Sequence, residues 1–137
     1  MKFFETSEYF QLNKPTYINL RWIAIIGQLF SINLVALFFK FDFDLILSNF
    51  IILIGIFLNF YLIYLHKENY LTNKLSFFFL NIDIFQLSFL IYLTGGITNP
   101  FIVFIIIPCI FSSTNLDLKA NLLLVLITIL SIVFLTF

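Results

Sequence analysis

The stretch Gly95-Gly96-Ile97-Thr98-Asn99-Pro100-Phe101 separates two long apolar runs and decides how the chain is folded. The run before it covers residues 75–94, and the run after it begins at Phe101. The two glycines allow positive φ angles and therefore a tight reversal of the chain. Asn99-Pro100 predicts a helix start, with Asn as N-cap and Pro at the first helical position. The stretch thus predicts a short loop between two hydrophobic helices.

The same residues resemble the Gly-Gly-x-x-Asn-Pro-Phe signature of the RegB (PrrB) family of redox-sensing histidine kinases. The segments 20–28 and 83–87 resemble the first and third membrane helices of that family, and the resemblance covers roughly residues 20–137. It implies a transmembrane sensor region whose signature loop interacts with ubiquinone in the membrane.

Composition independently excludes a soluble domain. Hydrophobic residues make up 62% of the chain, charged residues 10%, and the mean hydropathy is +1.11. The formal net charge of zero argues against nucleic acid as a partner. The single cysteine, Cys109, excludes an intrachain disulfide, and no metal-binding constellation is present. Lipid is therefore the expected surrounding of the chain.

The predicted fold class is all-α, a polytopic transmembrane bundle of five spans. A cytoplasmic N-terminal arm, residues 1–19, precedes it, and Pro15 is expected to prevent a helix there. Each span approaches the about 20 residues that cross a bilayer. The expected spans are about 20–39, 45–65, 75–94, 100–115 and 120–137.

The basic residues predict the orientation in a bacterial inner membrane. Alternating the five spans puts six of the seven Lys and Arg residues on the side of the N-terminus and leaves Lys40 alone on the other. The positive-inside rule then makes the N-terminus cytoplasmic and the Gly95–Phe101 loop periplasmic. Arg21 and Trp22 are interpreted as anchors at the mouth of the first span.

Asp83 and Gln86 are the polar residues of interest within the third span. A charged carboxylate near the bilayer centre costs several kcal/mol, so Asp83 is expected to face the bundle interior, to be protonated, or both. Gln86 follows at i+3 on the same face. One interpretation is an intramembrane polar relay leading inward from the loop. The other is hydrogen bonding between helices, to Asn33, Gln28 or Asn59.

The loop also offers a ligand site. A quinone presents two carbonyl acceptors on a flat apolar ring, which suits the N–H groups of a helix start, an Asn99 donor and the Phe101 ring. The resemblance implies that the quinone-binding residues are Gly95, Gly96, Asn99, Pro100 and Phe101. The alternative is a tight helix connection without a ligand.

The resemblance predicts the redox-sensing input region of a two-component sensor histidine kinase. The family would add a sixth helix, a kinase core that phosphorylates a response regulator, and a homodimer. None of the kinase motifs is present, so the chain is interpreted as a truncated or fragmentary kinase without catalytic residues. The rival interpretations are a small membrane transporter or its substrate-binding component, and a structural membrane subunit.

Overall fold

The computed structural model describes residues 11–137, which form five helices joined by short connections. The α-helices are α1 Lys14–Leu34, α2 Leu45–Leu65, α3 Asn73–Leu93, α4 Ile107–Asn115 and α5 Leu118–Leu135. A π-helical segment, Val35–Phe39, extends α1. Two 3-10 segments, Gly96–Thr98 and Pro100–Ile106, precede α4. Two short strands, β1 Leu12–Asn13 and β2 Tyr70–Leu71, pair antiparallel. The predicted all-α class is confirmed, with this one small strand pair added.

The first helix begins at Lys14, earlier than the predicted start at residue 20. Asn13 is its N-cap and accepts a hydrogen bond from the Thr16 amide at 3.1 Å. Pro15 lies in the first turn, where its missing N–H costs no helical hydrogen bond. The prediction that Pro15 prevents a helix was therefore wrong. Of the predicted arm 1–19, residues 1–10 lie outside the part that the structure describes.

The helices are apolar on their exposed surface as well as in the core, unlike those of a soluble bundle, and several polar side chains are buried between them. Ile46 is 85% exposed, and the exposed surface of every helix carries large apolar side chains. Ser48, Asn59 and Ser112 are fully buried. Apolar surface of this extent is not left open to water by soluble proteins. The arrangement is that of a protein surrounded by lipid.

Four helices in the described part of the chain are long and apolar enough to cross a membrane: Lys14–Phe39, Leu45–Tyr64, Asn73–Leu93 and Leu118–Leu135. The remaining helix, Pro100–Asn115, which we call the fourth helix, is apolar but shorter. Its length does not confirm the predicted span 100–115, and so the predicted count of five spans is not confirmed.

The fourth helix is longer in space than its residue count indicates. Seven residues of 3-10 helix are followed by nine of α-helix. Because a 3-10 helix rises about 2.0 Å per residue against about 1.5 Å for an α-helix, the whole helix is about 27 Å long. The 18-residue α5 has the same length, about 27 Å.

The hydrogen bonds at the helix ends show that consecutive helices alternate in direction. The Lys14 amide donates to the Asn69 carbonyl at 2.9 Å, and the Asn73 side chain donates to Asp117 at 2.7 Å. The starts of α1, α3 and α5 therefore lie together at what we call the Lys14 end. At the opposite, loop end, the Leu135 carbonyl oxygen lies 3.4 Å from where a Gly96 Cβ would be. The fourth helix consequently runs from one end of the bundle to the other.

Two groups of helices make up the bundle. The first is α1 packed along α2, and the second is α3 packed along α5 and the fourth helix. The larger core lies mainly in the second group and includes Phe79, Leu80 and Ile105. The smaller core joins α1 and α2 to the part of α3 nearer the loop end, at Leu90. Residues of α1, α2 and α3 belong to both cores, whereas α5 and the fourth helix contribute only to the larger one.

Candidate functional site at the signature loop and on helix α3

The backbone of Gly95–Phe101, which we call the signature loop, needs its two glycines. Gly95 has φ 126° and Gly96 has φ 59°, so the predicted positive φ angles are confirmed. The Asn99 amide donates to the Gly96 carbonyl at 3.1 Å, and the Thr98 hydroxyl donates to the Gly95 carbonyl at 2.7 Å. The reversal is thus fixed by hydrogen bonds within the loop.

Asn99 links the end of α3 to the start of the next helix. Its Oδ1 accepts from the Phe101 amide at 2.9 Å, and its Nδ2 donates to Thr94 Oγ1 at 2.7 Å. Pro100 occupies the first turn, so the predicted N-cap and Pro start are confirmed. Because both ends of the amide are engaged, Asn99 contributes first to the shape of the loop. Its cap also occupies the Phe101 N–H group that the sequence offered to a ligand.

Phe101 is the aromatic residue of the loop, and with Ile97 it presents a large apolar surface. Its side chain is 40% exposed and stacks on Phe104, with the ring centroids 5.8 Å apart. A second exposed aromatic pair, Tyr92 and Phe134, lies at the same end with centroids 5.7 Å apart. The loop end therefore offers aromatic faces to molecules dissolved in the bilayer.

Asp83 lies in a separate polar cluster nearer the Lys14 end, which we call the α1–α3 cluster: Tyr17, Arg21 and Asp83. Arg21 Nη2 lies 3.2 Å from Asp83 Oδ1, and the Tyr17 hydroxyl donates a hydrogen bond to Asp83 Oδ2. The guanidinium lies over the rings of Tyr17 and Phe79, at 5.6 and 5.7 Å from their centroids. Asp83 thus faces the bundle interior, one of the two outcomes expected for it.

The partner of Asp83 was missed by the sequence analysis. Arg21 is only 6% exposed, so its interpretation as an interface anchor was wrong. The available signal was the i, i+4 spacing of Tyr17 and Arg21, which puts both on one face of α1. Asn33, one of the three partners suggested for the polar residues of α3, instead exchanges hydrogen bonds with Asn49 at 3.0 and 3.3 Å.

Gln86 faces a different helix from Asp83. Its amide packs on Gly55 of α2 so closely that a Cβ there would lie 2.5 Å from Nε2. Asp83 faces α1, and no hydrogen bond joins it to Gln86 within residues 11–137. The structure therefore does not bring the two residues of the suggested relay into one connected chain. Along α3, Asp83 lies about 16 Å from Thr94, so the cluster and the signature loop are two distinct places on one helix.

Long apolar helices whose exposed surfaces carry large apolar side chains define the chain as a helical membrane protein. More particularly, the chain is similar to the sensor histidine kinase RegB of Cereibacter sphaeroides, with 33% identity over 110 residues. The alignment covers 80% of this chain but 24% of that protein, so the chain spans about a quarter of this relative's length. The predicted resemblance to RegB-type kinases is thereby confirmed. No protein-family model matches the chain, and no solved structure matches it.

Proposed function

We propose that this chain is the membrane-embedded input region of a two-component sensor histidine kinase and that it senses redox state by binding quinone at the signature loop. The similarity to RegB over 80% of the chain carries the proposal. The folded loop supports it, because Gly95, Gly96, Asn99 and Pro100 each have a defined backbone or capping role there. These four residues therefore give the loop the defined shape beside which the exposed ring of Phe101 is presented.

The chemistry of a quinone suits the loop end of the bundle. A quinone is a flat apolar ring that dissolves in the bilayer, and the exposed ring of Phe101 gives it a stacking partner. Gly95 is exposed and lacks a side chain, so a ring can approach its backbone, whereas the side-chain position of Gly96 faces the Leu135 carbonyl. We expect ring stacking on Phe101 to dominate the contact, while Asn99 holds the loop in shape.

Sensing requires the two redox forms of quinone to bind with different strengths. A ligand shifts a conformational equilibrium only by its differential affinity for the two states. A useful switch needs roughly 1–3 kcal/mol of coupling between the redox state of the quinone and the conformation of the chain.

In the full arrangement we propose, five spans cross the inner membrane, the N-terminus is cytoplasmic and the loop is periplasmic. Homodimerisation and the response regulator would involve the kinase part of a longer protein.

Photoaffinity labelling in membranes tests the site directly. An azido derivative of ubiquinone should label the peptide that contains Phe101, and an excess of ubiquinone-1 should suppress that label. Phe101→Ala should remove most of the label. Phe78→Ala is the matched control, since Phe78 is 57% exposed on α3 near the Lys14 end and should leave labelling unchanged. Labelling that survives Phe101→Ala would contradict the assignment.

A further inference from the structure

The two groups of helices are connected by the packing of α2 on α3, which includes the contact of Gln86 with Gly55, and by side chains that reach from α1 to α3. α1 packs on α2 and α3 packs on α5, whereas α1 and α3 have little backbone contact with each other. The side chains of Tyr17 and Arg21 nevertheless reach Asp83 from α1. The α1–α3 cluster is therefore a direct bridge between the two groups.

An ion pair is an unusual contact for merely holding two helices together inside a membrane. Hydrogen-bonding neutral side chains serve that purpose in membrane bundles, and Asn33 with Asn49 does so here between α1 and α2. Desolvating two charges is costly, and ionisable residues within membrane helices therefore mark functional positions. In addition, Arg21 Nη1 is buried without a hydrogen-bond partner in the described residues. The guanidinium thus retains a donor that another arrangement of the helices can use.

Helix α3 connects this bridge mechanically to the signature loop. Its last turn is hydrogen-bonded to the loop, because Thr94 Oγ1 accepts from Asn99. Asp83 lies about 16 Å further down the same continuous helix. A shift or rotation of α3 at the loop therefore moves the Asp83 carboxylate relative to Arg21.

We propose that Tyr17, Arg21 and Asp83 form the switch contact through which occupancy of the signature loop changes the position of α1 relative to α3. The inference rests on the proposed function, since it names the element that the bound quinone regulates. One state has the observed ion pair. In the other state, α3 is displaced by a helix shift of about 1–2 Å, and the Arg21 guanidinium has exchanged the observed contact with Asp83 for a different hydrogen-bond partner.

Distance measurements between spin labels test this contact. In a Cys109→Ser background, labels at Ile23 on α1 and Phe78 on α3 use outward-facing positions, 68% and 57% exposed. The purified chain in nanodiscs is measured with oxidised and with reduced ubiquinone-1. We expect the mean distance to differ between the two forms by about 1–2 Å. Asp83→Asn should abolish that difference.

Two further variants separate a switch from a fold defect. Arg21→Met/Asp83→Leu replaces the ion pair by apolar side chains, which buried sites often tolerate without loss of stability, and it should also abolish the difference. Asn33→Leu/Asn49→Leu removes a neutral bridge between α1 and α2 and should preserve the distance difference between the two redox forms.

A redox-dependent distance that persists in both Asp83 variants would overturn the proposal. A distance that stays constant in the parent chain, although that chain binds quinone, would overturn it as well. Absence of any saturable quinone binding would instead remove the proposed function and this inference together.

Discussion

Gly95 illustrates how much a single residue contributes to the signature loop. Its φ of 126° is a conformation that residues with side chains rarely adopt. We predict that Gly95→Ala lowers the free energy of unfolding by about 1–3 kcal/mol. Gly27→Ala is the control, because Gly27 is helical with open space around its Cβ position, and it should be neutral or stabilising by up to about 1 kcal/mol. Thermal unfolding in detergent, followed by circular dichroism, measures both. Equal effects at the two glycines would contradict the loop geometry.

The Asp83 carboxylate should matter for stability through the partner it leaves behind. Asp83→Leu strands the buried guanidinium of Arg21, and removing one member of a buried ion pair costs about 3–5 kcal/mol. We predict that loss for the single variant and recovery of part of it in Arg21→Met/Asp83→Leu, where the buried Tyr17 hydroxyl still lacks its acceptor. Unfolding in mixed micelles of increasing SDS fraction measures the difference. If the double variant is no more stable than the single one, the ion pair is not the cause.

Local features at the residue scale could be predicted from the sequence, and distant pairings could not. The Asn99 cap, the Pro100 position and the positive φ of the glycines depend on neighbouring residues alone. Tyr17 and Asp83 lie 66 positions apart, and their contact depends on how α1 and α3 are placed. Hydropathy put Arg21 at a membrane boundary because the chain before it is polar. The burial of Arg21 follows only from the tertiary arrangement.

At the scale of the helices, the Asn33–Asn49 pair should couple α1 to α2 modestly. Each side chain donates to the other and also to a carbonyl one turn earlier in its own helix. Hydrogen bonds between membrane helices have coupling energies of about 0.6 kcal/mol, up to about 1.7. We predict a value in that range from the double-mutant cycle of Asn33→Leu and Asn49→Leu. A coupling energy of zero would show that the two amides act independently.

Hydrophobic runs predicted the bounds of most helices but not the 3-10 geometry of one segment. The predicted spans 45–65 and 75–94 agree closely with α2 Leu45–Leu65 and α3 Asn73–Leu93. The predicted bounds 100–115 also agree with the fourth helix, but the 3-10 geometry of Pro100–Ile106 was not foreseen. An unbroken run of Ile, Phe and Val has no periodicity that distinguishes a 3-10 helix from an α-helix.

For the whole molecule, the proposed five crossings can be tested by labelling. In a Cys109→Ser background, a single cysteine replaces Thr98 in the loop or Lys119 at the start of α5, both exposed. Because the fourth helix connects the two ends of the bundle, we predict that an impermeant maleimide labels position 98 in intact cells. Position 119 should react only after the inner membrane is permeabilised. Labelling of both positions from the same side would show that the fourth helix does not cross.

The central claim, that the signature loop binds quinone, is tested most directly by titrating ubiquinone-1 against the purified chain in nanodiscs. Intrinsic tyrosine and Trp22 fluorescence reports binding, in the oxidised and reduced states of the ligand separately. We predict saturable binding whose dissociation constants differ by about 5–150-fold between the redox forms. Phe101→Ala and Asn99→Ala should lose the binding, while Phe78→Ala should retain it. Identical titration curves for all four proteins would contradict the account and leave the loop as a helix connector.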